Sequence, residues 1–333
     1  MSLLSLAKII SQEQVAPGHY LLTFSAPEMA GLAQPGQFVH VRCGDTLDPL
    51  LRRPLSLHGI DRAAGTLTLL YRVVGRGTEI LSRMQAGEVL DVMGPLGRGF
   101  YLDDPISEVM ERDKTEDQDQ EGANYSKLSR PIEEAIVVGG GLGVAPLLPL
   151  VESLLQQGKP VTVILGARSA DGLLRVEAFE NTGARVELAT DDGSRGISGN
   201  VVDVLKTRFE QKGLNPDQQR ERKGSLSGWR DGICVYSCGP VPMLRAVWKL
   251  CADYQVPLQV SLEERMGCGV GACLACVCQV KLYSENDETV KSATETAAAA
   301  RIPAVPGQPA WKYARVCVEG PVFWGKEVIL DEQ

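Results

Sequence analysis

Cys268, Cys273 and Cys276 stand in the run Cys-Gly-Val-Gly-Ala-Cys-Leu-Ala-Cys. This C-x4-C-x2-C spacing, with a distant fourth cysteine, is the pattern that holds a plant-type [2Fe-2S] cluster, a group that moves single electrons. Cluster sulfurs need backbone amides aimed at them, and Gly267, Gly269 and Gly271 let a loop wrap that closely by visiting positive φ. The same run admits a structural zinc site or a set of inert thiols. Zinc knuckles pair C-x2-C units and often add histidine, whereas here the x4 gap is glycine-rich and the chain has 3 histidines, which favours the cluster. Two cysteines compete for the fourth place: Cys317, and Cys278, whose Val-Cys-Gln-Val setting reads as a strand beyond the loop. Cys43, Cys234, Cys238 and Cys251 are scattered and the total of 9 is odd, so no disulfide framework is implied and a reducing cytoplasm fits best.

A one-electron carrier needs a donor or acceptor, and two other segments could supply one. Arg52-Arg53-Pro54-Leu55-Ser56-Leu57, at the end of an expected strand, offers a cation, a rigid proline and a hydroxyl within one turn of chain. An arginine there clamps a pyrophosphate with paired donors, and a hydroxyl a few residues later reaches a flavin ring nitrogen. Alone, the segment is equally a surface arginine pair. Its context is Tyr71-Arg72-Val73-Val74-Gly75-Arg76-Gly77-Thr78-Glu79, a strand entering a glycine turn and a helix expected over Ile80 to Met84, whose first amides suit a phosphate. Together they read as a flavin dinucleotide site made by Arg53, Pro54, Leu55, Ser56, Tyr71, Arg72, Val73, Gly75, Gly77 and Thr78.

Gly139-Gly140-Gly141-Leu142-Gly143 follows a buried strand and lets backbone approach a ring or a phosphate, although it is not the G-x-G-x-x-G fingerprint. A tight turn needed only for packing is the plain alternative. Thr190-Asp191-Asp192-Gly193-Ser194 and Cys238-Gly239-Pro240 end later strands of the same kind, where open α/β sheets bind ligands. Gly140, Gly141, Gly143, Asp191, Cys238, Gly239 and Pro240 are therefore the candidate nicotinamide dinucleotide residues. Cys238 is placed either facing the nicotinamide or as a small buried strand residue. Arg168 could meet a 2′-phosphate, but an exposed arginine there is equally ordinary.

Three kinds of scaffold must position these residues. From about Ala7 to Gly99, short alternating strands such as Tyr20 to Phe24, Gln37 to Val41 and Thr66 to Tyr71, with turns at Pro35-Gly36, Ala64-Gly65 and Ala86-Gly87, predict a small antiparallel barrel. Beyond Ala135, strands at Ala135–Val138, Val161–Leu165, Ala184–Ala189 and Gly232–Cys238 alternate with helical segments, one of them beginning near Met243, and predict a doubly wound parallel sheet. The expected organisation is thus β plus α/β: an antiparallel FAD-binding barrel over 1-102, a polar linker over 103-131, a nucleotide-binding domain over 132-260, and a cluster domain over 261-333. Polar stretches at 211-229 and 284-309 read as surface excursions. A formal charge of −8 offers no basic face for nucleic acid or anionic lipid, and no apolar run approaches the roughly 20 residues that span a bilayer. The start, Met1 to Lys8, lacks the pattern of a secretory signal. The working expectation is a cytoplasmic electron carrier.

In this order along nearly the whole chain, Arg53-Pro54-Leu55-Ser56, Gly75-Arg76-Gly77-Thr78, Gly139 to Pro146, Cys238-Gly239-Pro240 and Glu263-Glu264-Arg265-Met266-Gly267-Cys268 resemble the electron-transfer subunits of class 1B dihydroorotate dehydrogenase. The Glu-Glu-Arg-Met lead into the cluster loop is the most specific of these. The resemblance implies one FAD, one [2Fe-2S] cluster, NAD+ as co-substrate, and a catalytic barrel subunit carrying FMN, with two copies of each subunit. It further implies that dihydroorotate is oxidised on the partner, in pyrimidine biosynthesis, and that electrons pass through the cluster to FAD and on to NAD+. By matched motif, Arg53 binds the FAD pyrophosphate, Ser56 the flavin edge and Gly77-Thr78 the FAD phosphates. Cys268, Cys273, Cys276 and Cys317 ligate iron, Cys317 lying within Arg315 to Phe323. Leu55 departs from broader relatives, which carry an aromatic there, and the 40 residues between Cys276 and Cys317 exceed the short loop the resemblance implies. Two other readings use the same residues: a stand-alone NAD(P)H-dependent reductase of ferredoxin or another acceptor, and a redox sensor without catalysis.

Overall fold

The computed structural model describes residues 2–44, 48–102, 132–216, 232–281 and 311–330. Six strands close a barrel: β1 (Leu3–Ala16), β2 (His19–Ser25), β3 (Phe38–Val41), β4 (Arg53–Asp61), β5 (Thr66–Arg72) and β6 (Val89–Leu96), in the order β1-β2-β5-β4-β3-β6 with every pair antiparallel. Alternation writes the barrel's inside. In β5, Leu67, Leu69 and Tyr71 are fully buried while Thr66 and Thr68 face outward, and Phe24 and Val92 complete the interior. Helix α1 (Pro27–Leu32) plugs one end, and α2 (Arg76–Leu81) follows β5.

Helix α2 starts earlier than the Ile80 to Met84 expected from sequence. The Thr78 hydroxyl accepts the amides of Val74 (2.9 Å) and Gly75 (3.3 Å) and donates to the Gly75 carbonyl, so the helix is capped directly on the glycine turn. The Arg52 to Leu57 segment likewise opens a strand and does not end one. Residues Arg53 to Ser56 of β4 pair only with β3, and pairing with β5 begins at Leu57. Proline lacks the donor a ladder needs, and Pro54 sits where one side of its strand is open.

The second unit is a seven-stranded sheet of β7 (Glu134–Gly140), β8 (Val161–Ala167), β9 (Arg185–Thr190), β10 (Ile197–Ser198), β11 (Ile233–Cys238), β12 (Leu258–Ser261) and a last strand at Val322–Trp324, in the order β10-β9-β8-β7-β11-β12 and then that edge strand. Its strands are parallel except the last, which runs antiparallel to β12. Successive residues of β7 bury on opposite faces. Ile136 and Val138 pack with Phe209 and Val247, and Ala135 and Val137 pack with Leu147, Leu150 and Phe179. The helices that cover these faces are α3 (Leu147–Gln156), α4 (Val176–Glu180), α5 (Val201–Gln211) and α6 (Val241–Tyr254), the last starting two residues before the expected Met243. A hairpin of β13 (Val277–Lys281) and β14 (Trp311–Arg315) stands between β12 and the edge strand, which is β15. The expected excursions at 103-130 and 284-309, and most of 211-229, lie outside the described residues.

Phe209 is fully buried with its ring 5.2 Å from that of Tyr254, at the core between α5 and α6. Phe209→Ala is expected to cost about 3–5 kcal/mol of stability through the cavity it leaves, read as a lowered midpoint of thermal or denaturant unfolding.

Candidate functional site

The cluster loop begins and ends at one place in the sheet. Ser261 of β12 pairs with Val322 of β15, and the Leu262 amide donates to the Pro321 carbonyl at 2.9 Å, so chain leaving the sheet at Leu262 returns beside it. A second stem closes within this one. The β13–β14 register runs from Lys281↔Trp311 down to Val277↔Arg315, after which the Val316 amide donates to the Cys276 carbonyl at 2.8 Å and the Cys317 amide to Cys276 Sγ at 3.4 Å. The long insertion between Cys276 and Cys317 therefore grows from the far end of a hairpin whose base holds the two cysteines together.

Backbone amides converge on the thiols as a cluster requires. Cys268 Sγ receives the amides of Val270 (3.4 Å), Ala272 (3.2 Å) and Cys273 (3.4 Å), and Cys273 Sγ receives that of Cys268 at 3.4 Å. Gly269 and Gly271 both have positive φ, and a Cβ on Gly271 would stand 2.8 Å from Val318 Cγ2. Burial would raise the Cys268 thiol, but the Val270, Cys273 and Ala272 amides and the Cys273 thiol bring it down to about 6. Cys317 is pushed up to about 12 by burial and by the neighbouring Cys276. Loop amides join Cys268 to Cys273 and the hairpin base joins Cys276 to Cys317; no three of these side chains stand together as a metal site among the described residues, but four cysteine sulfurs are the donor set of an iron–sulfur group. Cys278 is a strand residue packed with Val280, Ala314 and Val316, and burial pushes it up to about 12.

Beside the loop lies a cavity of about 730 Å³, within the range of ligand sites. One wall is the open end of β4, Arg53 to Ser56, with Phe38 and Leu70. The second is the glycine turn, through Leu142 and Ala145. The third is the lead into the cluster, Leu262 to Met266, with Pro321. The two arginines divide their work. Arg52 is held by Asp91, its carboxylate at 2.8 Å and its carbonyl at 3.0 Å, and so braces the barrel. Arg53 folds over the glycine turn instead: a Cβ on Gly77 would stand 2.8 Å from Arg53 Nε. The first helical hydrogen bond of α2 is donated by Glu79 to Gly75, so the Gly77 and Thr78 amides precede the ladder while the Thr78 hydroxyl serves the cap. Gly75, Val73 and Arg72 lie along this turn. Tyr71 does not join its neighbours. Its ring is in the barrel core against Tyr20 and its hydroxyl donates to Gln12 Oε1 at 2.9 Å, which leaves only its backbone for a cofactor. Strand alternation gives the cavity Leu70 in its place.

The parallel strands end together. Gly139 pairs with Cys238 and Gly140 with Gly166, and strand order reverses between β7 and β11, the switch point where such sheets bind ligands. A Cβ on Gly143 would meet Cys238 O and Gly239 Cα at 2.5 Å, so the two turns touch backbone to backbone. Gly140, Gly141, Gly143, Gly239 and Pro240 therefore form one ledge, and the Asp191 amide donates to the Ala167 carbonyl further along it at 3.1 Å. The Cys238 side chain is 1% exposed, and burial and the Glu263 carboxylate raise its thiol. Glu263 faces the cavity; desolvation raises its carboxyl, and Arg72 partly offsets this. The sequence reading missed the cavity role of Leu262 to Met266 and Phe38, and missed His40, a fully buried strand residue beside Gly269. Only the rarity of histidine in the chain could have marked it.

An antiparallel barrel joined to a doubly wound sheet, with a cysteine loop rooted at the sheet edge, defines a ferredoxin–NADP reductase-like oxidoreductase that carries an iron–sulfur segment. The family described as "Iron-sulfur cluster binding domain of dihydroorotate dehydrogenase B" matches residues 263–291. The "Dihydroorotate dehydrogenase B (NAD(+)), electron transfer subunit" of Desulforamulus reducens is 40% identical over 98% of both chains, and that of Geobacillus kaustophilus 36% over 97% of both. A solved NADH-dependent reduced ferredoxin-NADP oxidoreductase, described for flavin-based electron bifurcation, is 26% identical with a TM-score of 0.66, over 98% of this chain and 91% of that one. A ferredoxin reductase of carbazole 1,9a-dioxygenase shares the fold at 17% identity and a TM-score of 0.55, over 78% of this chain and 69% of its own. The chain belongs to the electron-transfer subunits of dihydroorotate dehydrogenase B (NAD(+)). No helix among the described residues is long and apolar enough to cross a membrane.

Cys317→Ser is expected to abolish or strongly perturb the visible and EPR spectra of the reconstituted cluster, and Cys278→Ser to leave them in place. An unchanged Cys317→Ser spectrum would transfer the fourth ligand to Cys278.

Proposed function

We propose that this chain takes electrons from an FMN-bearing catalytic subunit that oxidises dihydroorotate and delivers them to NAD+, in the cytoplasm, within an assembly of two copies of each subunit. The observation that carries this reading is the single cavity whose walls are the flavin strand, the glycine turn and the cluster lead-in. When bound, a [2Fe-2S] cluster supplies one-electron chemistry and FAD supplies the link between single electrons and the two-electron reduction of NAD+.

In this reading the chain's own residues bind and orient. Cys268, Cys273, Cys276 and Cys317 hold iron through sulfur, and the loop amides favour the thiolate at Cys268. Arg53 clamps the FAD pyrophosphate with paired donors, the Gly77 and Thr78 amides take the phosphates, and Ser56 meets the flavin edge, with Pro54 and Leu55 packing beside it. Leu55 gives the ring an aliphatic neighbour, not an aromatic one. Gly140, Gly141, Gly143, Gly239 and Pro240 seat NAD+ at the switch point, with Asp191 further along the ledge. Cys238, behind Glu263, contributes shape to that seat, not a free thiolate. The division into 1-102, 132-260 and 261-333 assigns FAD, NAD+ and the cluster to successive parts of the chain. The alternative, a reductase acting without a catalytic partner, draws on the full-length likeness to the ferredoxin-NADP oxidoreductase.

Co-expression with a candidate FMN-barrel subunit, anaerobic purification and an assay of dihydroorotate-dependent NAD+ reduction decide between them. The expected result is activity only in the complex, with FAD and iron on this chain. NADH oxidation by the chain alone, with no orotate formed in any pairing, would establish the free-standing reductase. Within the complex, Arg53→Met removes a charge-assisted clamp worth about 1.5–3 kcal/mol, so FAD affinity should fall about tenfold to a hundredfold in a flavin-release titration. Cluster content should be unaffected.

A further inference from the structure

His40 lies in the middle of β3, paired by backbone to Pro54 of β4 and Met93 of β6. It is fully buried, and neither ring nitrogen has a hydrogen-bond partner among the described residues. A buried imidazole with both nitrogens unpaired is costly, and such groups persist where something else completes them. The ring points out of the barrel wall onto the cluster loop. Gly269, at φ +73°, is the only residue type that can pass there, because a Cβ would stand 2.6 Å from His40 Nδ1. The main chains of Arg52 and Cys268 stand near the ring without completing a hydrogen bond to it. Arg52 Nη1 also donates to the His40 carbonyl at 3.4 Å. One side chain thus stands between the strand that begins the flavin segment and the first cysteine of the cluster loop.

We propose that His40 is a positioning residue of the electron relay: its single N–H donates to the cluster loop at Cys268 when the loop closes on its cluster, fixing that loop against the flavin strand and setting the cluster's potential. A cluster's potential depends on the hydrogen bonds and burial around its sulfurs, and those are set by how the loop carrying Cys268 is held. A neutral imidazole has one donor, so its N–H serves one main chain only. The inference rests on the cluster assignment made above.

The test uses the complex of the full chain with its catalytic subunit, carrying His40→Leu or His40→Gln. His40→Leu keeps the site filled but removes the donor; iron and FAD contents should stay at the wild-type level. The EPR spectrum of the reduced cluster should change, and the reduced-to-oxidised ratio of the cluster at a fixed ambient potential should shift severalfold. His40→Gln retains an N–H and should recover most of that ratio. A His40→Leu cluster with wild-type spectrum and ratio would overturn the proposal, as would a His40→Gln variant displaced as far as His40→Leu, which would mean packing alone. Should His40→Leu fail to fold, Gly269→Ala presses on the same contact from the loop side, and its indifference would overturn the proposal equally. A wild-type complex that binds no iron would instead refute the cluster assignment, a distinguishable failure.

Discussion

The short antiparallel pairing of Ser261 with Val322, extended by the Leu262 amide on the Pro321 carbonyl, is the constraint from which the functional arrangement follows. Because the excursion that carries the cysteines leaves and re-enters the sheet at adjacent points, its position relative to β7 and β11 is fixed whatever length of chain lies between. Leu262 to Met266 then necessarily form a wall of the cavity that β4 and the glycine turn enclose. A loop attached at only one end would leave the cluster's distance from the flavin strand undetermined.

Close approach of backbone is the second recurrent theme. Gly77 beneath Arg53, Gly143 against Cys238 and Gly239, and Gly269 against His40 are all places where a single methyl would strike a neighbour at 2.8 Å or less. Each marks a junction: turn to flavin strand, nucleotide turn to nucleotide turn, barrel to cluster loop. Side chains at these junctions would hold the parts apart, and electron transfer depends on their being near.

Polar groups are divided between structure and function by their partners. Arg52, tied to Asp91, and the Thr78 hydroxyl, tied to its cap, are spent on the fold, while Arg53 leans over Gly77 at the cavity wall. Adjacent residues of the same type or in the same turn thus take different roles because their side chains meet different partners. Tyr71 shows the same rule from the other side, since its place on the inward face of β5 removes its ring from the site that its motif suggested.

The sequence by itself determined the parts. Strict alternation in Thr66 to Tyr71 specified a barrel wall, the unbroken Ala135 to Val138 run a strand buried on both faces, and the C-x4-C-x2-C spacing a cluster loop, because each is a local pattern with a fixed period or ligand geometry. Tertiary structure decided which residues of those motifs meet. That Cys317 meets Cys276 depended on the β13–β14 register, which the intervening residues hide from any reading of spacing. The split between Arg52 and Arg53 depended on Asp91, in a strand and 39 positions from Arg52. His40 carries no motif at all, and only the barrel's closure against the cluster loop gives it a neighbour. Local pattern encodes an element through the periodicity of its own backbone, whereas contact between elements is set by packing, and no residue's own sequence context contains its packing partner.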